Sequence, residues 1–265
     1  MTYADLFPLK KPVVAVIHLL PLPGSPGFEG NLQRVYDQAL EEAEIFQKGG
    51  VDALVIENFR DIPFYPEKVP HETVAAMAGI TREVVKRVQI PIGVNVLRND
   101  ADAALSIAAT TGAHFIRVNV HNAAMLTDQG IVQGKAYETL RKRKNLGSHV
   151  LIAADVAVKH AVQLAHLPLD METRDLTERS LADILIVSGS GTGQPTDLGH
   201  LEAVKNNTHL PVWIGSGTTP EGLSDLSKWA DGFIVGSHFK SNGKAENPVE
   251  PKRVQEFMKI QKEMR

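Results

Sequence analysis

Short, continuous apolar runs recur at intervals along the whole chain. Runs that lack alternating polar positions are typical of parallel strands buried on both faces, where neither side of the sheet meets water. The runs therefore predict eight strands, at residues 13–17, 53–56, 90–94, 115–118, 150–154, 184–187, 212–214 and 233–235.

The segments between these runs carry the periodicity of amphipathic helices. In the first of them, Val35, Ala39 and Phe46 lie on one helical face, and Gly49-Gly50 ends the segment. The same pattern predicts helices at residues 34–48, 74–88, 100–111, 173–181, 197–206, 220–229 and 251–264.

This alternation defines the fold class. Eight strands separated by helical segments in 265 residues, with no linker long enough to divide the chain, predict an α/β protein. We expect a single (β/α)8 TIM barrel of the phosphate-binding type, forming one domain over residues 1–265. An open doubly wound sheet is the competing architecture, and the regular repetition favours a closed barrel.

Polar side chains stand where the predicted strands end. Parallel strands place their carboxyl ends at one mouth of a barrel, so we expect these side chains to converge there. Asp155 and Glu57 suit acid and base chemistry, and asparagines suit hydrogen bonds to hydroxyls or an oxyanion. The predicted catalytic residues are Glu57, Asp155, His18 and Arg117, and the predicted substrate-binding residues are Asn58, Asn95, Asn119 and Lys159.

Each of these assignments has a structural alternative. His18 fits a satisfied core imidazole as well as a catalytic group, and Glu57 fits a salt bridge to Arg117 as well as a general base. Asp155 is a second carboxylate for proton transfer or for holding a sugar hydroxyl, or it orients Lys159. A Schiff base at Lys159 is a weaker hypothesis, because this residue comes four positions after Asp155, past the predicted strand end.

Three late strand ends are rich in glycine and hydroxyl residues. Glycine lets backbone N–H groups approach an anion closely, and Pro220 after Thr218 and Thr219 predicts a capped helix N-terminus aimed at the same rim. Tight turns are the alternative explanation. The predicted phosphate-binding residues are Ser188, Gly189, Ser190, Gly191, Gly215, Ser216, Gly217, Gly236 and Ser237.

The composition restricts the classes of partner, compartment and cofactor that we expect. A net charge of −3 gives no electrostatic argument for nucleic acid, and no apolar stretch predicts membrane insertion. The chain has no cysteine and no secretory signal pattern, which favours a cytoplasmic protein. Its ten histidines lack metal-ligand spacing, so we expect no obligatory metal and no cofactor, although His18, Glu57 and Asp155 could form an open site.

Three long loops follow predicted strands, at residues 20–33, 59–71 and 121–135. Loops on this face of a barrel build substrate sites, and the proline-rich first loop suggests an ordered lid or an interface. A plain surface connection is the alternative. We expect a homo-oligomer, in which such loops would form the contact.

Several motifs together resemble those of the BtpA family, which includes the SgcQ-like proteins. They are the His-Leu-Leu-Pro-Leu-Pro-Gly-Ser-Pro segment from His18, Glu57-Asn58-Phe59, the segment 93–99, the segment 115–119, and Asp155-Val156 with Lys159-His160; the glycine-rich segment 188–193 completes the set. The resemblance implies a phosphate-binding type of TIM barrel. It also implies a link to photosystem I biogenesis in cyanobacteria or to sugar catabolism in enteric bacteria, with peripheral membrane association in the first case.

The leading functional prediction is an enzyme acting on a small phosphorylated sugar or nucleoside-type metabolite. Glu57 and Asp155 would supply acid and base at the barrel mouth, and isomerisation, aldol-type cleavage and glycosidic cleavage all remain open. The alternative is a non-catalytic assembly factor that supports photosystem I or another membrane complex through protein contacts.

Overall fold

The computed structural model describes residues 2–189 and 196–265. The strands are β1 (Val13–His18), β2 (Ala53–Glu57), β3 (Ile92–Asn95), β4 (Phe115–Val118), β5 (Ala124–Thr127), β6 (Gly130–Gln133), β7 (Leu151–Val156), β8 (Ala161–Gln163), β9 (Ile184–Val187), β10 (Val212–Ile214) and β11 (Gly232–Val235). The helices are α1 (Tyr3–Leu6), α2 (Leu32–Gly49), α3 (His71–Arg87), α4 (Ala101–Thr111), α5 (Ala136–Asn145), α6 (Leu169–Arg174), α7 (Leu198–Asn206), α8 (Leu223–Leu226) and α9 (Pro251–Glu263).

Within these described ranges, eight parallel strands form a closed barrel. Their order around it is β1, β11, β10, β9, β7, β4, β3 and β2, which returns to β1. Every residue of these eight strands is buried, as the continuous apolar runs predicted. The predicted TIM barrel is confirmed.

The barrel strands divide their side chains between two apolar cores. Inward positions such as Val14, Val16, Val55 and Ile186 fill the barrel interior. Outward positions pack against the ring of helices in a separate, larger core. Because the strand period is two, a polar residue placed two positions after an inward core residue must also face inward.

Aromatic rings close the amino-terminal end of the barrel. Trp213 of β10 stands edge-on to Phe115 of β4, with ring centroids 5.8 Å apart, and Phe7 after α1 lies 5.1 Å from Trp213. Gly93 of β3 makes room for Phe115, since a Cβ there would lie 2.2 Å from Phe115 Cε2. This packing leaves the opposite, carboxyl end as the open mouth.

The helices differ from prediction in three places. The segment predicted as a helix over 220–229 contains the short α8, which begins after Gly222 rather than at Pro220. The segment predicted over 173–181 starts earlier, as α6, and continues through a π-helical turn at Asp175–Arg179. Helix α5 was not predicted, because its sequence is dominated by lysine and arginine and buries little apolar surface.

The predicted loop over 121–135 contains a hairpin. Strands β5 and β6 pair with each other, and β8 joins β5 from the other side to make a three-stranded antiparallel sheet. Met125 and Val132 are buried in a small cluster with Val120 and Val158, whereas Leu126 and Ile131 alternate with them and are exposed. These strands are too short for alternation alone to reveal them.

Candidate active site at the barrel mouth

The period of two brings most of the predicted polar residues to one place. His18 follows Val16 on β1, Glu57 follows Val55 on β2, and Asp155 follows Ala153 on β7, each two positions after an inward core residue. Arg117 on β4 follows Phe115 in the same way. All four side chains are buried at the carboxyl end of the barrel.

Arg117 joins the two carboxylates. Its Nη1 donates to Glu57 Oε1 at 3.2 Å, and its Nη2 donates to Asp155 Oδ1 at 3.1 Å and to Oδ2 at 3.2 Å. Burial alone would lower the pKa of this guanidinium, but the adjacent Asp155 and Glu57 raise it above its ordinary value. One cation therefore holds two buried anions in a fixed arrangement.

The asparagines complete the network around these carboxylates. Asn95 Nδ2 donates to Glu57 Oε1 at 3.1 Å, and Asn119 Nδ2 donates to Asp155 Oδ2 at 2.6 Å. Asn119 Oδ1 is buried and accepts no hydrogen bond from any described residue. It is therefore available to a ligand hydroxyl.

The two oxygens of Glu57 have different environments. Oε1 accepts from both Arg117 and Asn95, while no described residue donates to Oε2. Glu57 lines two of the cavities at the mouth. A carboxylate held by one oxygen and open at the other has the geometry needed to take a proton from a ligand.

His18 is a neutral imidazole. Burial, followed by the charge of Lys240 and then of Lys159, lowers its pKa well below the ordinary histidine value. Its ring lies 4.6 Å from the ring of Phe59, and its Nδ1 is buried without a partner among the described residues. Neutral imidazole can donate one hydrogen bond and accept another, so His18 suits ligand positioning as well as proton transfer.

Lys159 lies beside this network without joining it. No carboxylate oxygen of the described residues lies within 4.0 Å of Lys159 Nζ, the distance that defines an ion pair. Burial, followed by the charge of Arg117, lowers its pKa to about 8. It lines the same two cavities as Glu57.

Asn58 does not belong to the mouth. It is one position out of phase with Glu57 and therefore faces away from the barrel interior. Its Nδ2 donates to Asp61 and to the carbonyl of Leu97, and its Oδ1 accepts from Leu97 N at 2.7 Å. Asn58 therefore joins the loops after β2 and β3 by hydrogen bonds.

The predicted phosphate-binding residues lie beside the carboxylates. Ser216 and Thr218 after β10, and Ser188 after β9, have buried hydroxyls with no partner among the described residues. A Cβ at Gly215 would lie 2.4 Å from Ser188 Oγ, and one at Gly236 would lie 2.9 Å from His18 Cε1. Both glycines therefore let the strand ends approach the site closely.

Other parts of the phosphate prediction have different outcomes. Gly217 has a φ of 72° and Ser237 begins a short 3-10 helix, both on the rim. Gly189 is buried at the end of β9, and Ser190 and Gly191 lie outside the described residues. The predicted cap was wrong: the N-cap of α8 is Gly222, and neither Thr218 nor Thr219 caps it.

Three cavities surround these residues. A central cavity of about 380 Å³ is lined by Glu57, Arg117, Asn119 and Lys159 together with other side chains. A rim cavity of about 620 Å³ is lined on one side by residues 217–219 and Ser237. A smaller connecting cavity shares lining residues with both, and its lining includes Glu57 as well as the hydroxyl residues Ser216, Thr218 and Ser237.

Several residues of the central cavity were not predicted from the sequence. Arg98 is buried, and its Nη2 donates to the Lys159 carbonyl at 2.7 Å. Asp128, from the β5–β6 turn, and Phe59 also line the cavity. Arg98 stands three positions after Asn95, and this proximity to a strand end was the available signal; Asp128 had none, because it depends on the hairpin.

The described residues contain neither a metal-binding cluster nor a membrane-spanning helix. Within residues 2–189 and 196–265, no group of three or more histidine, aspartate or glutamate side chains is arranged to hold a metal ion. Across the same ranges, no helix has both the length and the apolar character needed to cross a bilayer.

Nearly the whole chain matches a known family. The profile of the BtpA family matches residues 9–263. This chain belongs to the BtpA family. The photosystem I biogenesis protein BtpA of Synechocystis sp. is 44% identical over 264 residues, covering 99% of this chain and 92% of that protein. An uncharacterized protein of Thermococcus kodakarensis is 43% identical over 258 residues, covering 97% of each.

Solved structures share the fold of this BtpA family member. N-(5'-phosphoribosyl)anthranilate isomerase from Pyrococcus furiosus superposes with a TM-score of 0.58 at 19% identity, covering 96% of this chain and 99% of that one. Thiamine phosphate pyrophosphorylase from the same organism gives a TM-score of 0.60 at 16% identity, covering 96% of each chain. At these identities the similarity establishes the barrel and no more.

Proposed function

We propose that this protein is an enzyme that acts on a small phosphorylated sugar or nucleoside-type metabolite by acid-base chemistry. The observation that carries the proposal is the connecting cavity, whose lining includes Glu57, Arg117 and Lys159 together with the loops after β10 and β11. A ligand spanning it would meet proton-transfer groups at one end and hydroxyl and backbone donors at the other.

The phosphate end of the proposal is supported by the buried donors. Ser216 and Thr218 hold hydroxyls that pair with no described residue, and burial of an unpaired hydroxyl is unfavourable unless a ligand or water completes its hydrogen bonds. In TIM barrels the loops after the seventh and eighth strands frequently bind phosphate, and β10 and β11 hold those positions here. The names of the two neighbouring enzymes also refer to phosphorylated compounds.

The proton-transfer end rests on Glu57. Arg117 and Asn95 hold its Oε1, no described residue donates to its Oε2, and Asn119 and neutral His18 line the two cavities that Glu57 also lines. Asp155 is joined to Glu57 through Arg117. Glu57 would take or return a proton, while the amides and His18 hold hydroxyls or developing charge. Isomerisation, aldol-type cleavage and glycosidic cleavage remain the candidate reactions.

A thermal-shift screen tests ligand binding. The panel contains inorganic phosphate, ribose 5-phosphate, ribulose phosphates and nucleoside monophosphates. A ligand at about 100 times its Kd adds about 2.7 kcal/mol to native-state stability, which raises Tm by several degrees for a chain of this size. Ser216→Ala combined with Thr218→Val should remove the shift, and Ser106→Ala, on the outer face of α4, should keep it.

The bound ligand then tests the chemistry. Incubating it with the protein in D2O and following its proton NMR spectrum reports hydrogen exchange, isomerisation or bond cleavage. Glu57→Gln should abolish the reaction and retain the thermal shift. An unchanged rate in Glu57→Gln would remove Glu57 from the mechanism, and no shift with any phosphate compound would refute the phosphate site.

A second candidate function is protein assembly. It is favoured by an apolar row across the small sheet, in which Leu126 pairs with Ile131 on one side and Val162 on the other, all three being exposed. An apolar row on a solvent-exposed face suits a protein contact, either with a second copy in a homo-oligomer or with a membrane-associated complex. The name of the Synechocystis relative points to the latter.

The two functions predict opposite results for matched variants. In a Synechocystis strain that lacks its own relative of this chain, photosystem I content would report rescue. An assembly function predicts rescue by Glu57→Gln and failure of Ile131→Glu, whereas an enzymatic function predicts the reverse. Light scattering of wild type and Ile131→Glu would show in parallel whether the row joins copies of the chain.

A further inference from the structure

We propose that Lys159 supplies a reactive amine that forms an imine with the substrate, so that the substrate class is a phosphorylated aldehyde or ketone. This inference rests on the proposed function and narrows it. It adds a covalent step to the acid-base chemistry of Glu57.

The turn that carries Lys159 is held from both sides. Arg98 Nη2 donates to the Lys159 carbonyl at 2.7 Å. Two residues earlier, Ala157 N donates to Oε1 of Glu172 at 3.0 Å, and Glu172 is itself buried and accepts from Gln163. These contacts fix the backbone of a segment that leaves β7 directly above the mouth.

The backbone of this turn is also in an unusual conformation. Ala157 and His160, on either side of Lys159, have φ angles of 47° and 55°. Residues with a Cβ rarely adopt the left-handed region, and such positions concentrate at functional sites because surrounding contacts must hold them there. This backbone conformation places the Lys159 side chain in the lining of both the central and the connecting cavity.

Burial and the charge of Arg117 make the Lys159 ammonium lose its proton more easily than an ordinary lysine. Arg117 pairs with the nearby carboxylates Glu57 and Asp155, and no described carboxylate lies within ion-pair distance of the Lys159 amine. Burial and then the positive charge of Arg117 lower its pKa to about 8, and the negative charges of Glu57 and Asp155 only partly oppose this shift. Desolvation beside another cation is the environment that activates a lysine as a nucleophile.

The chemistry balances with the groups present. The neutral amine adds to the carbonyl carbon and gives a carbinolamine, which takes up a proton and loses water to form a protonated imine. The protonated imine withdraws electrons from the α carbon, which is the carbon next to the imine carbon, so that Glu57 Oε2 can remove a proton from the α carbon and leave an enamine. In the alternative, the bond between the α and β carbons breaks, the β-hydroxyl gives its proton to Glu57 Oε2 and leaves as a carbonyl product, and the electron pair forms the same enamine. Return of a proton and addition of water release the product and restore the amine.

Two carbonyl probes separate the amine from the phosphate site. Formaldehyde with cyanoborohydride methylates any neutral amine, and pyridoxal 5'-phosphate followed by borohydride labels a neutral amine near a phosphate-binding loop. Peptide mass mapping after brief labelling at pH 7 compares Lys159 with the exposed Lys144 and Lys244 in the same sample. At pH 7 the neutral form of an amine with a pKa near 8 is roughly two hundredfold more abundant than that of an ordinary lysine, and we expect labelling at least tenfold faster.

Control variants and the labelling results distinguish the imine proposal from the phosphate-site proposal. Lys159→Arg should remove the fast-labelling site from wild-type maps, and Lys244→Arg, beside the rim cavity, should leave it. Fast labelling by both probes, with inorganic phosphate slowing the pyridoxal phosphate reaction, supports both proposals. Fast labelling by formaldehyde alone keeps the amine and refutes the phosphate site. Labelling of Lys159 by formaldehyde no faster than Lys144 overturns the imine proposal, whatever the thermal-shift screen shows.

Discussion

Arg117 decides the electrostatics of the mouth. It is 4% exposed and bridges Glu57 and Asp155, which are 5% and 3% exposed. A buried ion pair gains little net stability, because the attraction between the charges is spent on removing them from water. Losing one partner is far more costly, since it leaves the other charge buried and uncompensated.

Arg117→Met should therefore destabilise the protein by about 3–5 kcal/mol, because two carboxylates lose their shared cation. Urea unfolding at neutral pH measures the change. The triple variant that adds Glu57→Gln and Asp155→Asn removes the uncompensated charges and should recover much of the loss. Equal stability of wild type and the single variant would show that water already screens these carboxylates.

At the scale of elements, the barrel interior depends on one missing side chain. Gly93 on β3 has no Cβ, and Phe115 of the neighbouring β4 occupies the space. Phe115 in turn packs against Trp213 and Phe7. The glycine is thus a packing requirement of the strand rather than a source of backbone freedom.

Gly93→Ala should lower the free energy of unfolding by about 1–3 kcal/mol, through overpacking against Phe115. Gly222→Ala is the matched control, because its Cβ would meet nothing closer than 3.8 Å and its φ is −83°. Denaturant unfolding compares the two. Adding Phe115→Leu to Gly93→Ala should restore part of the stability, and a further loss instead would locate the strain elsewhere.

For the molecule as a whole, burial keeps histidines neutral. It lowers the pKa of His18, His114, His121, His160 and His238, and that of His121 falls to about 4. In the unfolded chain each would titrate near 6.5. Below that pH the unfolded state binds more protons than the native state, so stability must fall as the pH decreases.

His121 alone should cost about 2 kcal/mol of stability between pH 7.5 and pH 5, a range in which most carboxylates stay ionised. Urea unfolding across this range measures the slope. His121→Gln keeps a side-chain donor for the Ser180 carbonyl, which His121 Nε2 contacts at 3.0 Å, and removes the titration. A slope unchanged by this variant would assign the acid sensitivity to the other histidines.

At the scale of the whole molecule, part of the fold and of the candidate site could be predicted from the sequence. The strands were predictable because parallel strands buried on both faces leave continuous apolar runs, and Arg117 with Asn119 was predictable because a spacing of two keeps residues on one face. Asn58 was predicted to bind substrate beside Glu57, but a single step along a strand reverses the face, and its side chain bonds to Asp61 and to the backbone of Leu97. Arg98 and Asp128 depend on loop paths and on a hairpin, which are set by long-range packing that no local pattern records.

The amine of Lys159, which forms no ion pair with any described residue, also links ligand binding to hydrogen-ion uptake. With a pKa of about 8, this amine is half charged in mildly alkaline solution. A phosphate dianion entering the cavity would favour its charged form and draw a fraction of a proton from the buffer. Calorimetric binding enthalpies at pH 8 should therefore differ between Tris and phosphate-free HEPES in proportion to their ionisation enthalpies, and the difference should vanish in Lys159→Arg.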